Sequence, residues 1–153
     1  MEIKQLMTDY VETLIATDSI LKASYLMKKL GVGAIPVIDE ASQVVGIITD
    51  RDLVTRGIVD KLAADTPVRE IMTQPVYTIN ECEPVGTAIS LMSDKQVRRL
   101  PVVDNLNQLT GIISLGDLAT LQLTDERAGL ALKEISEPNT NPNRDLEVDD
   151  FPL

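Results

Sequence analysis

Two stretches of this chain hold the side chains best spaced to do chemistry: Gly46-Ile47-Ile48-Thr49-Asp50-Arg51-Asp52 and Gly111-Ile112-Ile113-Ser114-Leu115-Gly116-Asp117. Each reads glycine, two apolar residues, a hydroxyl, two free positions and an aspartate. One reading is structural. A hydroxyl where a strand gives way to a helix caps the helix, and an acid three residues on favours the positive end of the helix dipole. The other reading is chemical. A helix N-terminus and a hydroxyl offer donors to a phosphate, while the aspartate can accept both hydroxyls of a ribose. Hydroxyl and carboxylate so close together suit a ribose-phosphate better than a bare anion, which the aspartate would repel.

Other chemistries lack their residues. The chain has no histidine, which removes the commonest general base and metal ligand. It contains no glycine-rich phosphate loop, no dinucleotide fingerprint and no cysteine pair that could hold zinc. No carboxylates fall in a recognisable catalytic pairing, so no catalytic residue, metal ligand or cofactor is expected. Cys82 is the single cysteine and reads as a plain buried or half-buried thiol in a reducing compartment. A net charge of −10, from 24 acidic and 14 basic residues, argues against nucleic acid as a partner. No apolar run approaches the roughly 18 residues of a membrane span, and the start lacks a basic, then apolar, signal. A cytoplasmic protein with no membrane partner is the expectation.

The elements that must position the two stretches come as a tandem repeat. Met7-Thr8 recurs as Met72-Thr73, Leu26-Met27 as Leu91-Met92, Pro36-Val37 as Pro101-Val102 and Asp52-Leu53 as Asp117-Leu118, always 65 positions on. Each copy begins with an extended piece, 11–14 or 76–79. An amphipathic helix follows, its apolar stripe formed by Ala23, Leu26, Met27 and Leu30, or by Val85, Ala88, Ile89 and Met92 after Glu83-Pro84. Strands at 34–38 and 44–49, and at 100–103 and 109–114, flank polar turns. A second helix, 50–57 or 115–123, closes each unit, giving β-α-β-β-α twice. The fold class is α/β (α+β), with the two repeats packed sheet against sheet about a pseudo-twofold axis.

With 44% hydrophobic but only 3% aromatic residues, an aliphatic core shared by both copies is expected. The divisions are 1–66 for the first repeat, 67–123 for the second, a further helix over 124–136, and an acidic, disordered tail over 137–153. Pro67 marks the restart, and 68–72 reads as a short lead-in helix.

The tandem arrangement, the Ala34-Ile35-Pro36-Val37-Ile38-Asp39 and Leu100-Pro101-Val102-Val103-Asp104 strands and the two Gly-x-x-Thr/Ser-x-x-Asp endings resemble a pair of cystathionine-β-synthase (CBS) domains, a Bateman module. The likeness covers about residues 1–123 and is similar to small stand-alone bacterial two-CBS proteins. It implies a non-catalytic sensor that binds an adenine nucleotide, AMP-, ADP- or ATP-like, in clefts between the repeats, and that assembles as a disc-like homodimer. By motif position, Asp52 and Asp117 would hold ribose hydroxyls and Thr49 and Ser114 would meet phosphate. Ile35, Pro36, Leu100 and Pro101, with Thr13 and Thr78 on the first strands, would flank adenine. The copies differ in their basic residues: Arg51 in the first faces Gly116 in the second, whereas Arg98 and Arg99 replace Gly33 and Ala34. These three arginines are the candidate phosphate partners; the alternative is that they are solvated or pair with Asp50 and Asp104. With no effector domain fused, the output would pass to another protein or act through ligand buffering. The competing reading is a ligand-free dimeric scaffold or adaptor in which the same motifs only cap helices.

Overall fold

The computed structural model describes residues 1–120; the helix expected over 124–136, the tail over 137–153 and the end of the last repeat helix lie outside them. In the first copy α1 spans Ile20–Leu30, β1 Ala34–Ile38 and β2 Val44–Thr49, and α2 is the short turn Asp50–Asp52. The second copy has β3 (Ile79–Asn80), α3 (Val85–Lys95), β4 (Arg99–Val103), β5 (Leu109–Ser114) and α4 (Leu115–Thr120). Both hairpins are antiparallel in matching register, Pro36 opposite Ile47 and Pro101 opposite Ile112. The order of elements in each copy follows the sequence reading, with three changes of detail, the first being that the opening strand of the second copy, expected over 76–79, is Ile79–Asn80. The opening strand of the first copy shrinks to one parallel bridge, Leu14 to Val37, and α2 continues as a π-helical turn over Leu53–Ile58.

Helix burial follows the apolar spacing on all but one position. Ala23 and Met27 of α1, and Val85, Ala88 and Met92 of α3, are buried, with Leu26 and Ile89 packed beside them. Leu30 is exposed, because it is the last residue of α1 and the chain turns away at once through Gly31. Cys82, expected to be buried or half-buried, is exposed on the turn between β3 and α3. Ser19 caps α1, its hydroxyl accepting from Lys22 N at 3.0 Å. Just before it, Asp18 accepts from Ile15 N and from Lys22 Nζ, both at 2.9 Å. Burial raises the Asp18 pKa, but the Ile15 N–H and the Lys22 ammonium outweigh it and hold this carboxyl below the usual aspartate value.

Among the described residues the single shared core expected from the sequence is not found. The buried apolar side chains divide into two clusters, each built on one repeat and completed by the stretch that leads into the other. Ile3, from the 3₁₀ turn Ile3–Gln5, lies among Ile79, Met92, Leu100 and Ile113 of the second copy. Conversely Val68, Ile71 and Met72, around the 3₁₀ turn Val68–Glu70, lie among Leu14, Met27, Ile35 and Ile48 of the first. Backbone pairing continues the exchange: Thr8 bridges Ile112, and Thr73 bridges Ile47. Each lead-in thus adds apolar side chains to the core of the opposite repeat. The hairpin ends also meet, Gln43 bridging Gln108 and Leu109 N donating to Ser42 O at 3.0 Å.

Candidate functional site

Each Gly-x-x-Thr/Ser-x-x-Asp stretch ends at the corner where the second strand of a hairpin becomes a helix. At the first corner Thr49 and Asp52 form a reciprocal capping box: Asp52 N donates to Thr49 Oγ1 at 3.1 Å and Thr49 N donates to Asp52 Oδ2 at 3.0 Å. At the second, Asp117 N donates to Ser114 Oγ at 3.2 Å, while Ser114 N and Ser114 Oγ both donate to Asp117 Oδ2 at 2.7 Å. Hydroxyl and carboxylate are thus locked together at both corners, and the capping reading of the sequence is realised in each.

Around that shared frame the surroundings diverge. Asp52 is buried at 5% exposure and also accepts from Arg56 Nη2; the Thr73 hydroxyl stands 3.0 Å from each of its oxygens. Sequence reasoning did not single out Arg56 or Thr73. The i,i+4 spacing of Asp52 and Arg56 was the available signal for one; nothing local signalled the other, 21 residues from Asp52. Asp117 is half-buried, and its carboxylate has only Ser114 as a partner among the described residues.

The arginines gather at these corners. Leu115 N donates to Arg98 O at 2.8 Å, and Arg99 lies opposite Ser114 in the sheet, so both arginines flank the second corner. Arg99 also reaches across to the first repeat. A β-carbon on Gly33 would lie 3.3 Å from Arg99 Nη2 and 3.1 Å from Asp50 Oδ2, so the glycine leaves room for the two side chains. Arg51, beside Asp50, is exposed, as are Arg98 and Arg99. None of the three makes an ion pair among the described residues, and neither Asp50 nor Asp104 takes one up.

The residues expected to flank adenine fall into three settings. Ile35 and Leu100 are core members of their clusters, 1% and 0% exposed, and face their own helices. Strand alternation turns Pro36 and Pro101 to the opposite sheet face, where they too are fully buried. Thr13 is half-buried beside the Leu14 bridge, and Thr78 is exposed immediately before β3. Among the described residues no group of three or more histidine, cysteine, aspartate or glutamate side chains is placed to hold a metal ion. No helix among them is long and apolar enough to cross a membrane.

Comparison with known proteins agrees with the twofold construction. The CBS-domain family model matches twice, over residues 3–58 and 68–123. The chain belongs to the CBS-domain family. Each match takes in one capping-box corner, and each starts at the lead-in that packs on the other repeat. The chain is 44% identical to the uncharacterized protein YlbB of Bacillus subtilis over 137 residues, 89% of this chain and 92% of that one. It is 41% identical to the CBS domain-containing protein YhcV of the same organism, covering 90% of this chain and 96% of that one. Among solved structures, the CBS domain pair of protein MJ0100 in complex with 5′-methylthioadenosine and S-adenosyl-L-methionine superposes with a TM-score of 0.72 at 29% identity. It covers 79% of this chain and 98% of that one.

Proposed function

We propose that this CBS pair is a regulatory, non-catalytic module that binds an adenosine-containing small molecule, of the AMP, ADP or ATP kind, between its repeats. The observation that carries the reading is the set of three arginines, Arg51, Arg98 and Arg99, grouped at the Thr/Ser–Asp corners of an acidic protein with no ion pair among the described residues. Exposed arginines without a carboxylate partner are suited to phosphate, which they can grip bidentately. Asp117, at the corner that Arg98 and Arg99 flank, offers an acceptor to a ribose hydroxyl. The likeness to the MJ0100 pair, which is bound to two adenosine derivatives, supports the same ligand class. The module works in the cytoplasm as a homodimer and passes its state to an effector protein, since a ligand shifts an equilibrium only by binding one of two states more tightly.

The capping boxes favour a second reading, a ligand-free scaffold, because they give both aspartates a structural use. A thermal-shift series with AMP, ADP, ATP and S-adenosylmethionine separates the two. At a hundredfold excess over the dissociation constant, binding adds about 2.7 kcal/mol, and for a domain of this size the melting temperature should rise by roughly 5–10 °C. A flat response to all four, in folded protein freed of copurified nucleotide, would leave the scaffold reading in its place.

A further inference from the structure

The two aspartates occupy equivalent positions, yet their carboxylates are not equally available. Both oxygens of Asp52 are engaged: Oδ2 by Thr49 N, Oδ1 by Arg56, and either one by the Thr73 hydroxyl. Its side chain is only 7% exposed. In Asp117 both donors fall on Oδ2, and Oδ1 meets no donor among the described residues. The cause is legible in the chain. The position that repeats Arg56 is Leu121, which has no donor to offer. Thr8, the counterpart of Thr73, makes the matching backbone bridge to Ile112 without its hydroxyl engaging Asp117.

Arg56 lies within the π-helical turn Leu53–Ile58, one turn beyond Asp52, and its Nη2 also donates to Thr73 Oγ1 at 3.2 Å. Thr73 belongs to the lead-in of the second repeat, so the three side chains fasten that lead-in to the first repeat. For a ribose diol to reach Asp52, it would have to displace a charge-assisted hydrogen bond and leave the Thr73 hydroxyl short of a partner. At Asp117 Oδ1 no donor among the described residues need be displaced.

We propose that Arg56 and Thr73 hold Asp52 as a structural latch and that the chain therefore takes one adenosine ligand, at the Ser114–Asp117 corner, despite carrying the motif twice. Arg56 is the residue that sets this stoichiometry. The inference rests on the adenosine-binding reading above, and its test separates the two.

Isothermal titration calorimetry with AMP, ATP and S-adenosylmethionine in turn would be run on the wild type, Asp117→Asn, Arg56→Met and the double variant. The wild type should bind one ligand per chain, and Asp117→Asn should weaken it by about tenfold or more. Arg56→Met should bind two, and the double variant one, now through Asp52. Two ligands on the wild type would overturn the latch while leaving the adenosine reading intact. So would a single ligand on an Arg56→Met protein whose circular dichroism matches the wild type. Should that variant unfold, Asp117→Asn still decides, because full-strength binding without Asp117 sinks the inference. No binding of any of the three to either the wild type or Arg56→Met would remove the adenosine reading, and the latch proposal with it.

Discussion

At the scale of single residues, the glycine that opens each motif serves packing. A β-carbon on Gly111 would lie 2.7 Å from the carbonyl oxygen of Thr8 and 2.6 Å from Met7 Sδ; one on Gly46 would run into the Met72 thioether. The repeated Met-Thr and the repeated glycine are therefore two halves of one contact, the lead-in of each copy lying against the second strand of the other. The obstacles differ in kind. Met72 is a flexible side chain that can swing aside, whereas the Thr8 carbonyl is backbone fixed by its bridge to Ile112. Gly111→Ala should cost about 2–3 kcal/mol and Gly46→Ala about 1 kcal/mol, within the usual range for overpacking. Urea unfolding midpoints would check this, and equal losses would count against the distinction. Both members of each contact were visible in the sequence. Their pairing was not, because a pattern repeated at a constant interval fits Met7 on Gly46 as well as Met7 on Gly111.

At the scale of elements, the helices and hairpins were readable because strong local signals agreed: apolar residues at helical spacing, a proline before α3, and polar turns between β-rich segments. What stayed hidden depended on contacts distant in sequence. The opening strand of the first copy is one bridge because only Leu14 finds a partner in Val37, and the π turn after α2 has no period of its own to read. The candidate site was half legible. Asp52 and Asp117 were found by spacing, but their inequality depends on Thr73, which comes from the far side of the repeat boundary. Two glycines give a clean test of the local part. Neither Gly31 nor Gly86 would put a β-carbon within 4 Å of another atom, so backbone preference alone decides each substitution. Gly31 ends α1 at φ +66°, and alanine there should destabilise by about 1 kcal/mol. Gly86 lies inside α3, and alanine there should stabilise by about 0.5–1 kcal/mol. Thermal melts of the two variants should move in opposite directions, and a shared direction would refute the argument.

At the scale of the whole molecule, the repeats present unlike outer surfaces. On α1 Leu21 and Tyr25, 61% and 59% exposed, share one face, and Ile58, Val59 and Leu62 stand exposed on the segment packed beside it. The matching positions on α3 are Gly86 and Ser90, both small or polar. Such a set of exposed apolar side chains on one repeat, in a chain otherwise heavily acidic, offers a seam for the proposed homodimer. A twofold axis sets a surface against its own copy. A dimer formed through this set should place first repeat against first repeat, leaving the second repeats, with their Asp117 corners, at the outside. Sedimentation velocity should then find a dimer that the double substitution Leu21→Glu, Tyr25→Glu converts to monomer, while Gly86→Glu, Ser90→Glu leaves it intact. If the second pair of changes breaks the dimer as effectively as the first, the repeats meet crosswise instead. Ligand binding at Asp117 would then be felt directly at the seam rather than transmitted through the exchanged lead-ins.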